Sequence, residues 1–168
     1  MAMSPKLTDA FNKQIAAEFA AAYKYLAMAA YFDGLDLTGF ANWMTVQHEE
    51  ELEHAHKFFD FVLDRGADVH LAAIPEPMQD FESPEHAFAT ALDNERAVTK
   101  LIHDLYALAR DENDLACIPL LQWFVDEQNE EEASVSRILQ RVRMAGDNPA
   151  ALLVLDRELG ERAPDSEG

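Results

Sequence analysis

Four segments of this chain repeat an apolar residue every three or four positions, the period of an amphipathic helix. Each puts a glutamate in the middle of its apolar stripe. The first reads Leu7, Phe11, Gln14/Ile15, Glu18, Ala22, Tyr25, Ala29, Phe32, and the second Phe40, Trp43/Met44, Gln47, Glu51, His54, Phe58, Phe61/Val62. The third reads Phe88, Ala91/Leu92, Glu95, Val98/Thr99, Ile102, Leu105/Tyr106, and the fourth Leu120, Phe124, Glu127/Gln128, Glu131, Val135, Ile138, Val142. Burying an unpaired carboxylate is costly, and several together also repel. Lys and Arg are missing from the stripes at that level. Protons or bound cations must therefore make the inward acids tolerable. The run HEEELEHAH, residues 48–56, shows the sorting within one helix. Its period turns Glu51 and His54 inward and Glu49 and Glu53 outward, with Glu50 at the edge.

Helix signals bound these segments. Ser4-Pro5 and Ser83-Pro84 each read as an N-cap followed by a first-turn proline. The first helix is expected to reach about Phe32, the second to run from Leu37 to Arg65 before Gly66, and the third to end near Arg110. DENDL, residues 111–115, separates it from a fourth helix reaching Ala145, with Pro119 kinking or delaying its start. Asn148-Pro149 opens a short fifth helix to about Glu161, followed by a frayed end. Four helices of this length rise roughly 40 to 45 Å each. The Pro-containing connector over residues 66–82 could span roughly 55 Å. The other links are short enough to force antiparallel neighbours. The expectation is an all-α four-helix bundle with one long crossover and a short fifth helix. It forms one domain over 1–168, with the bundle at about 5–145 and the last helix at about 148–161.

The formal charge of −19 argues against nucleic acid or an anionic membrane as main partner and favours attraction of cations. Cys117 is the only cysteine, so no internal disulfide can form. Glu18 and Lys24 interrupt the apolar stretch Ile15–Phe32, which fits helical periodicity better than a membrane span. With no signal-like N-terminus, a cytoplasmic location is expected.

Four carboxylates, an imidazole and an amide at one level make a hard, oxygen-rich donor set with one nitrogen, suited to two Fe or Mn ions rather than a structural zinc. The pattern resembles the ferritin-like di-iron family, in which two helices carry a lone Glu and two carry Glu-x-x-His. Here Glu18 and Glu95 stand alone and Glu51-x-x-His54 is one pair, while Gln128-x-x-Glu131 replaces the second. That replacement, and the run QWFVDEQNEEE over 122–132, resemble the non-haem bacterial ferritins.

The resemblance implies that Glu18, Glu51 and His54 bind a first iron. Glu51 bridges to a second, held by Glu95 and Glu131 with Gln128 nearby. It matches Glu50, Glu127 and Glu130 to a third iron site, and Tyr25 and Trp123 to aromatics that could supply electrons. Each of these also has a plain reading, as edge carboxylates or as core packing. Bacterioferritin holds haem through a Met after the bridging Glu; Leu52 stands there, so no haem is predicted. The implied activity is a ferroxidase that converts Fe(II) to Fe(III) with O2 or H2O2, storing ferric mineral in a homo-oligomeric cage of 24 subunits. Competing readings are another ferritin-like di-metal oxidoreductase or a non-catalytic acidic scaffold. The single Cys speaks against a rubrerythrin with its four-Cys module, and the lack of a basic tail against a DNA-guarding mini-ferritin.

Overall fold

The structure, a computed structural model, describes residues 3–164. Five α-helices and one 3-10 turn make up its regular structure: α1 Pro5–Asp33, α2 Thr38–Asp64, α3 Pro84–Asp111, the turn Leu115–Cys117, α4 Ile118–Ala145 and α5 Pro149–Leu159. The caps act as their chemistry requires, accepting the orphan N–H groups of the first turn. Ser4 Oγ accepts from the Leu7 N–H at 3.2 Å, Ser83 Oγ from His86 N–H at 3.1 Å, and Asn148 Oδ1 from Ala150 N–H at 3.0 Å. At the far end of α2, Gly66 takes a φ of +66°, a left-handed turn that glycine enters without steric cost.

Contacts along the crossover fix the topology. It leaves α2 beside the start of α1, where Asn12 Nδ2 donates to the Asp68 carbonyl at 2.9 Å and the His70 N–H donates to Asn12 Oδ1 at 2.7 Å. It arrives beside the end of α1, where the Phe81 and Tyr31 rings lie 5.2 Å apart. The connector thus traverses the whole bundle, and α2 and α3 start from the same end.

The apolar core comes in two parts. One gathers Tyr25, Phe32, Phe40, Met44, Phe88, Val135 and Val142; the other gathers Phe11, Ile15, Phe58, Val62, Ile102, Leu121 and Phe124. On α2, α3 and α4 the break between them falls at the inward acids, and on α1 it falls just beyond Glu18, between Ala21 and Tyr25. Ile15 lies below and Ala22 above Glu18; Met44 and Ala55 bracket Gln47, Glu51 and His54; Leu92 and Val98 bracket Glu95; Phe124 and Val135 bracket Gln128 and Glu131. All of these polar residues are buried. A polar layer is held between two oily blocks.

Three expectations shift. Pro119 neither kinks nor delays α4: it lies in the first turn, where its missing N–H has no helical partner to lose. Leu121 rather than Leu120 is buried, because the stripe steps back three residues from Phe124 and not four. The fifth helix ends at Leu159, two residues early. Fraying was expected of the last few residues; residues 165–168 lie outside the described part, but Arg162 is firmly held. Among the described residues, no helix is long and apolar enough to cross a membrane.

α5 closes one end by lying against α2, with Leu155 and Leu159 buried. The close approach needs Gly39: a Cβ there would meet the Asp156 carbonyl oxygen at 1.7 Å. The backbone cannot yield locally as a flexible side chain could. Gly39→Ala should therefore push α5 off and cost about 1–3 kcal/mol of stability, as overpacking does. Gly34→Ala, where the added carbon meets ordinary van der Waals distances, should change stability little. Denaturant melts of both variants followed by circular dichroism check this.

Candidate metal centre

α1 and α2 bring Glu18, Glu51 and His54 together, and α3 and α4 add Glu95 and Glu131. Two sets of three can offer ligand atoms all within 4.8 Å of one another: Glu18, Glu51 and His54, and Glu51, Glu95 and Glu131. Glu51 belongs to both. A third set, His54, Glu127 and Glu131, lies on the α4 side. Two side-chain oxygens in this layer, Glu18 Oε2 and Gln128 Oε1, are buried without a hydrogen-bond partner. A buried acceptor left unpaired is costly unless something electrophilic arrives, so the donor set fits divalent metal.

The remaining oxygens are tied by neutral amides. Gln14 Nε2 donates to Glu18 Oε1 at 2.7 Å, and Gln47 Nε2 to Glu51 Oε1 at 3.1 Å and Glu131 Oε2 at 2.7 Å. Gln128 Nε2 donates to Glu95 Oε2 at 3.2 Å, and the Tyr25 hydroxyl donates to Glu95 Oε1. His54 Nδ1 lies 3.2 Å from Glu51 Oε2. An amide or phenol supports a carboxylate without bringing a positive charge that would compete with a metal.

Without metal the layer retains protons. Burial first, then the Glu51 charge, raises the Glu18 and Glu131 carboxyls well above the usual range. The same causes push Glu95 up to about 8, against the pull of its Tyr25 and Gln128 hydrogen bonds. For His54, burial opposes protonation, but the Glu51 hydrogen bond and the surrounding acids prevail and push it up to about 10. Burial, then Glu95, holds the Tyr25 phenol well above its ordinary value, so it stays a donor.

Comparison with known proteins agrees with this geometry. The ferritin-like domain family matches residues 8–145. The bacterial non-heme ferritin of Staphylococcus aureus is 39% identical over 165 residues, covering 98% of this chain and 99% of the relative. The chain belongs to the ferritin family. Among solved structures, an Archaeoglobus fulgidus ferritin engineered into a closed form aligns with a TM-score of 0.96 at 49% identity, covering 98% of this ferritin and 100% of that chain. The open-pore ferritin of the same archaeon aligns with a TM-score of 0.95 at 48% identity, covering 97% and 100%.

The acids matched to a third iron lie along the edge of this layer, and Glu127 shares a ligand set with His54 and Glu131. Glu50 Oε2 is 2.6 Å from Arg162, Glu127 Oε1 is 3.8 Å from His54 Nε2, and Glu130 is exposed. The half-buried Trp123 ring meets His54 edge-on at 5.7 Å, with Lys57 Nζ 4.7 Å from its centroid. Gln14 and Gln47 stood on the stripes but had been given no part in the site. Their signal was a Gln four residues before an inward Glu, the spacing at which side chains on a helix meet. Arg162, beyond the last helix, gave no such signal.

The raised values set a pH dependence. Raised pKa values in the folded chain stabilise it at low pH, and that stability is lost as pH climbs from 4.5 through about 8 for Glu95 and from 6.5 through about 10 for His54. The melting temperature of the metal-free protein should fall between about pH 6 and about pH 9. Saturating Mn(II) should flatten or reverse that fall, because its ligands must be deprotonated. Calorimetric scans with and without Mn(II) decide.

Proposed function

We propose that this ferritin subunit binds two Fe(II) ions side by side as substrate, oxidises them, and passes Fe(III) to a mineral store inside a shell of 24 like subunits. The carrying observation is Glu51, one carboxylate shared by two ligand sets. Glu18, Glu51 and His54 take the first ion; Glu51, Glu95 and Glu131 take the second, with Gln128 Oε1 turned to the same layer. Binding displaces the protons held there. With O2 as oxidant, each iron yields one electron, and two protons complete H2O2; with H2O2 as oxidant, the same two electrons and two protons give water. Anionic oxygens favour the harder Fe(III) over Fe(II), which adds driving force to the oxidation. A negative surface draws cations toward the shell.

Tyr25, on Glu95, and Trp123, against His54, are the aromatics that on this reading would supply a further electron. Glu50, Glu127 and Glu130, the acids the resemblance matches to it, would hold a third iron.

Glu51→Ala removes a ligand from both positions and should slow Fe(II) oxidation by about 100-fold or more, exceeding what loss of an outer partner costs. Glu53→Ala, on the exposed side of the same helix, should oxidise iron at the parental rate. Stopped-flow absorbance of ferric product gives both rates. Fast oxidation surviving in Glu51→Ala would remove the assigned centre. Light scattering with an iron-to-protein ratio tests the shell.

A further inference from the structure

Beyond α5 the chain runs on along one face of α2, on which Gly39, Asn42, Trp43, Gln47 and Glu50 recur at helical spacing. Gly39 admits the α5 backbone. Asn42 Nδ2 then donates to the carbonyls of Leu159 at 3.5 Å and Arg162 at 3.0 Å, fixing the main chain at the point where Arg162 turns inward. The guanidinium lies 4.4 Å from the centroid of the Trp43 ring. It donates to the Trp43 carbonyl at 3.3 Å, to Gln47 Oε1 at 3.0 Å and to Glu50 Oε2 at 2.6 Å. Packing and hydrogen bonds leave only 21% of the side chain exposed, although it belongs to no helix.

The contact with Gln47 has a logical consequence. Arginine has only donors, so the sole atom of the Gln47 amide that can face it is the carbonyl oxygen. The NH2 must then point the other way, where both of its partners are carboxylates, Glu51 Oε1 at 3.1 Å and Glu131 Oε2 at 2.7 Å. A cation on one side and two acids on the other leave the amide one orientation. We propose that Arg162 is a positioning residue for the di-metal centre, acting through Gln47 to fix the Glu51 and Glu131 carboxylates that the second metal position shares. The inference rests on the di-iron reading above, and gives the segment after α5 a hold on a site it does not touch.

Without the guanidinium the amide can turn. Its carbonyl would then face the two acids, and neither carboxylate would keep the NH2 that fixes its orientation. Two of the three carboxylates at the Glu51, Glu95 and Glu131 position accept from Gln47, against one at the Glu18, Glu51 and His54 position. Loss of Arg162 should therefore fall mainly on one of two metals.

Anaerobic Co(II) titration of the full-length, assembled protein, followed by visible absorption, reads the two positions without any oxidation step. The parent should take two Co(II) per chain in this layer. Arg162→Gln should weaken one of them by about tenfold, the lower end of what losing an outer partner costs, and change the other much less. Gln47→Leu should do the same, and the double variant should lose no more than either alone, since the two residues act in series. Gly39→Ala, which lifts the segment away, should reproduce the Arg162→Gln loss. Unchanged constants in Arg162→Gln, or losses that multiply in the double variant, would overturn the role of Arg162 and leave the di-metal reading standing. A parent that binds no Co(II) at all would overturn both.

Discussion

Mutual repulsion among buried carboxylates is the constraint around which this bundle is organised. Glu18, Glu51, Glu95 and Glu131 sit where water cannot screen them, and no Lys or Arg side chain stands among them. In such a medium two like charges a few ångströms apart raise each other's pKa, and burial adds to the effect. The metal-free chain answers by keeping protons on the layer, an incomplete remedy that loses strength as pH rises. A pair of divalent ions answers fully. The two apolar blocks above and below supply the stiffness that keeps the acids from splaying toward solvent, since close-packed interiors transmit strain rather than absorb it.

The choice of neighbours follows from that constraint. Gln14, Gln47 and Gln128 each aim an amide NH2 at an acid, and Tyr25 aims a hydroxyl. A lysine in any of these places would form an ion pair, satisfy the acid permanently and shut out a metal. A leucine would leave the acid with neither partner nor orientation. The neutral donor lies between these extremes: it fixes rotamers, ties one oxygen of Glu18, Glu51 and Glu131 and both of Glu95, and leaves the electrostatic demand unmet. Arginine is kept to the rim, where Arg162 presses on Gln47 and Glu50 from outside the layer.

Much of this was legible in the sequence because one period governs both packing and chemistry. The spacing that buries Phe11 and Phe58 also buries Glu18 and Glu51, so reading the stripe reads the layer. Caps at Ser4, Ser83 and Asn148 set the starts of α1, α3 and α5, and the length of the connector dictated the crossover. Where the stripe could step by either three or four residues, the periodic reading slipped: four back from Phe124 gave Leu120, and the buried residue is Leu121, three back. What was not legible depended on contacts distant in the chain. Arg162 lies more than a hundred residues from Gln47 in sequence, and no helical period leads from one to the other. The role of Gly39 was hidden for the same reason, since its missing Cβ matters only once α5 has docked.

The asymmetry between Glu51-x-x-His54 and Gln128-x-x-Glu131 has its own chemical sense on the proposed reading. The first position keeps an imidazole, a borderline donor that holds Fe(II) well. The second offers anionic oxygens from Glu51, Glu95 and Glu131, with at most a neutral amide oxygen from Gln128. Glu131 stands there where the family pair has its histidine, which removes the one ligand that would favour the reduced ion, so the second position gains more on oxidation than the first. Amide oxygen is also a weak donor that hydrolysis can displace. A centre built for turnover rather than for permanent residence needs one side that captures and one that releases, and Gln-x-x-Glu in place of Glu-x-x-His is enough to make the two sides differ.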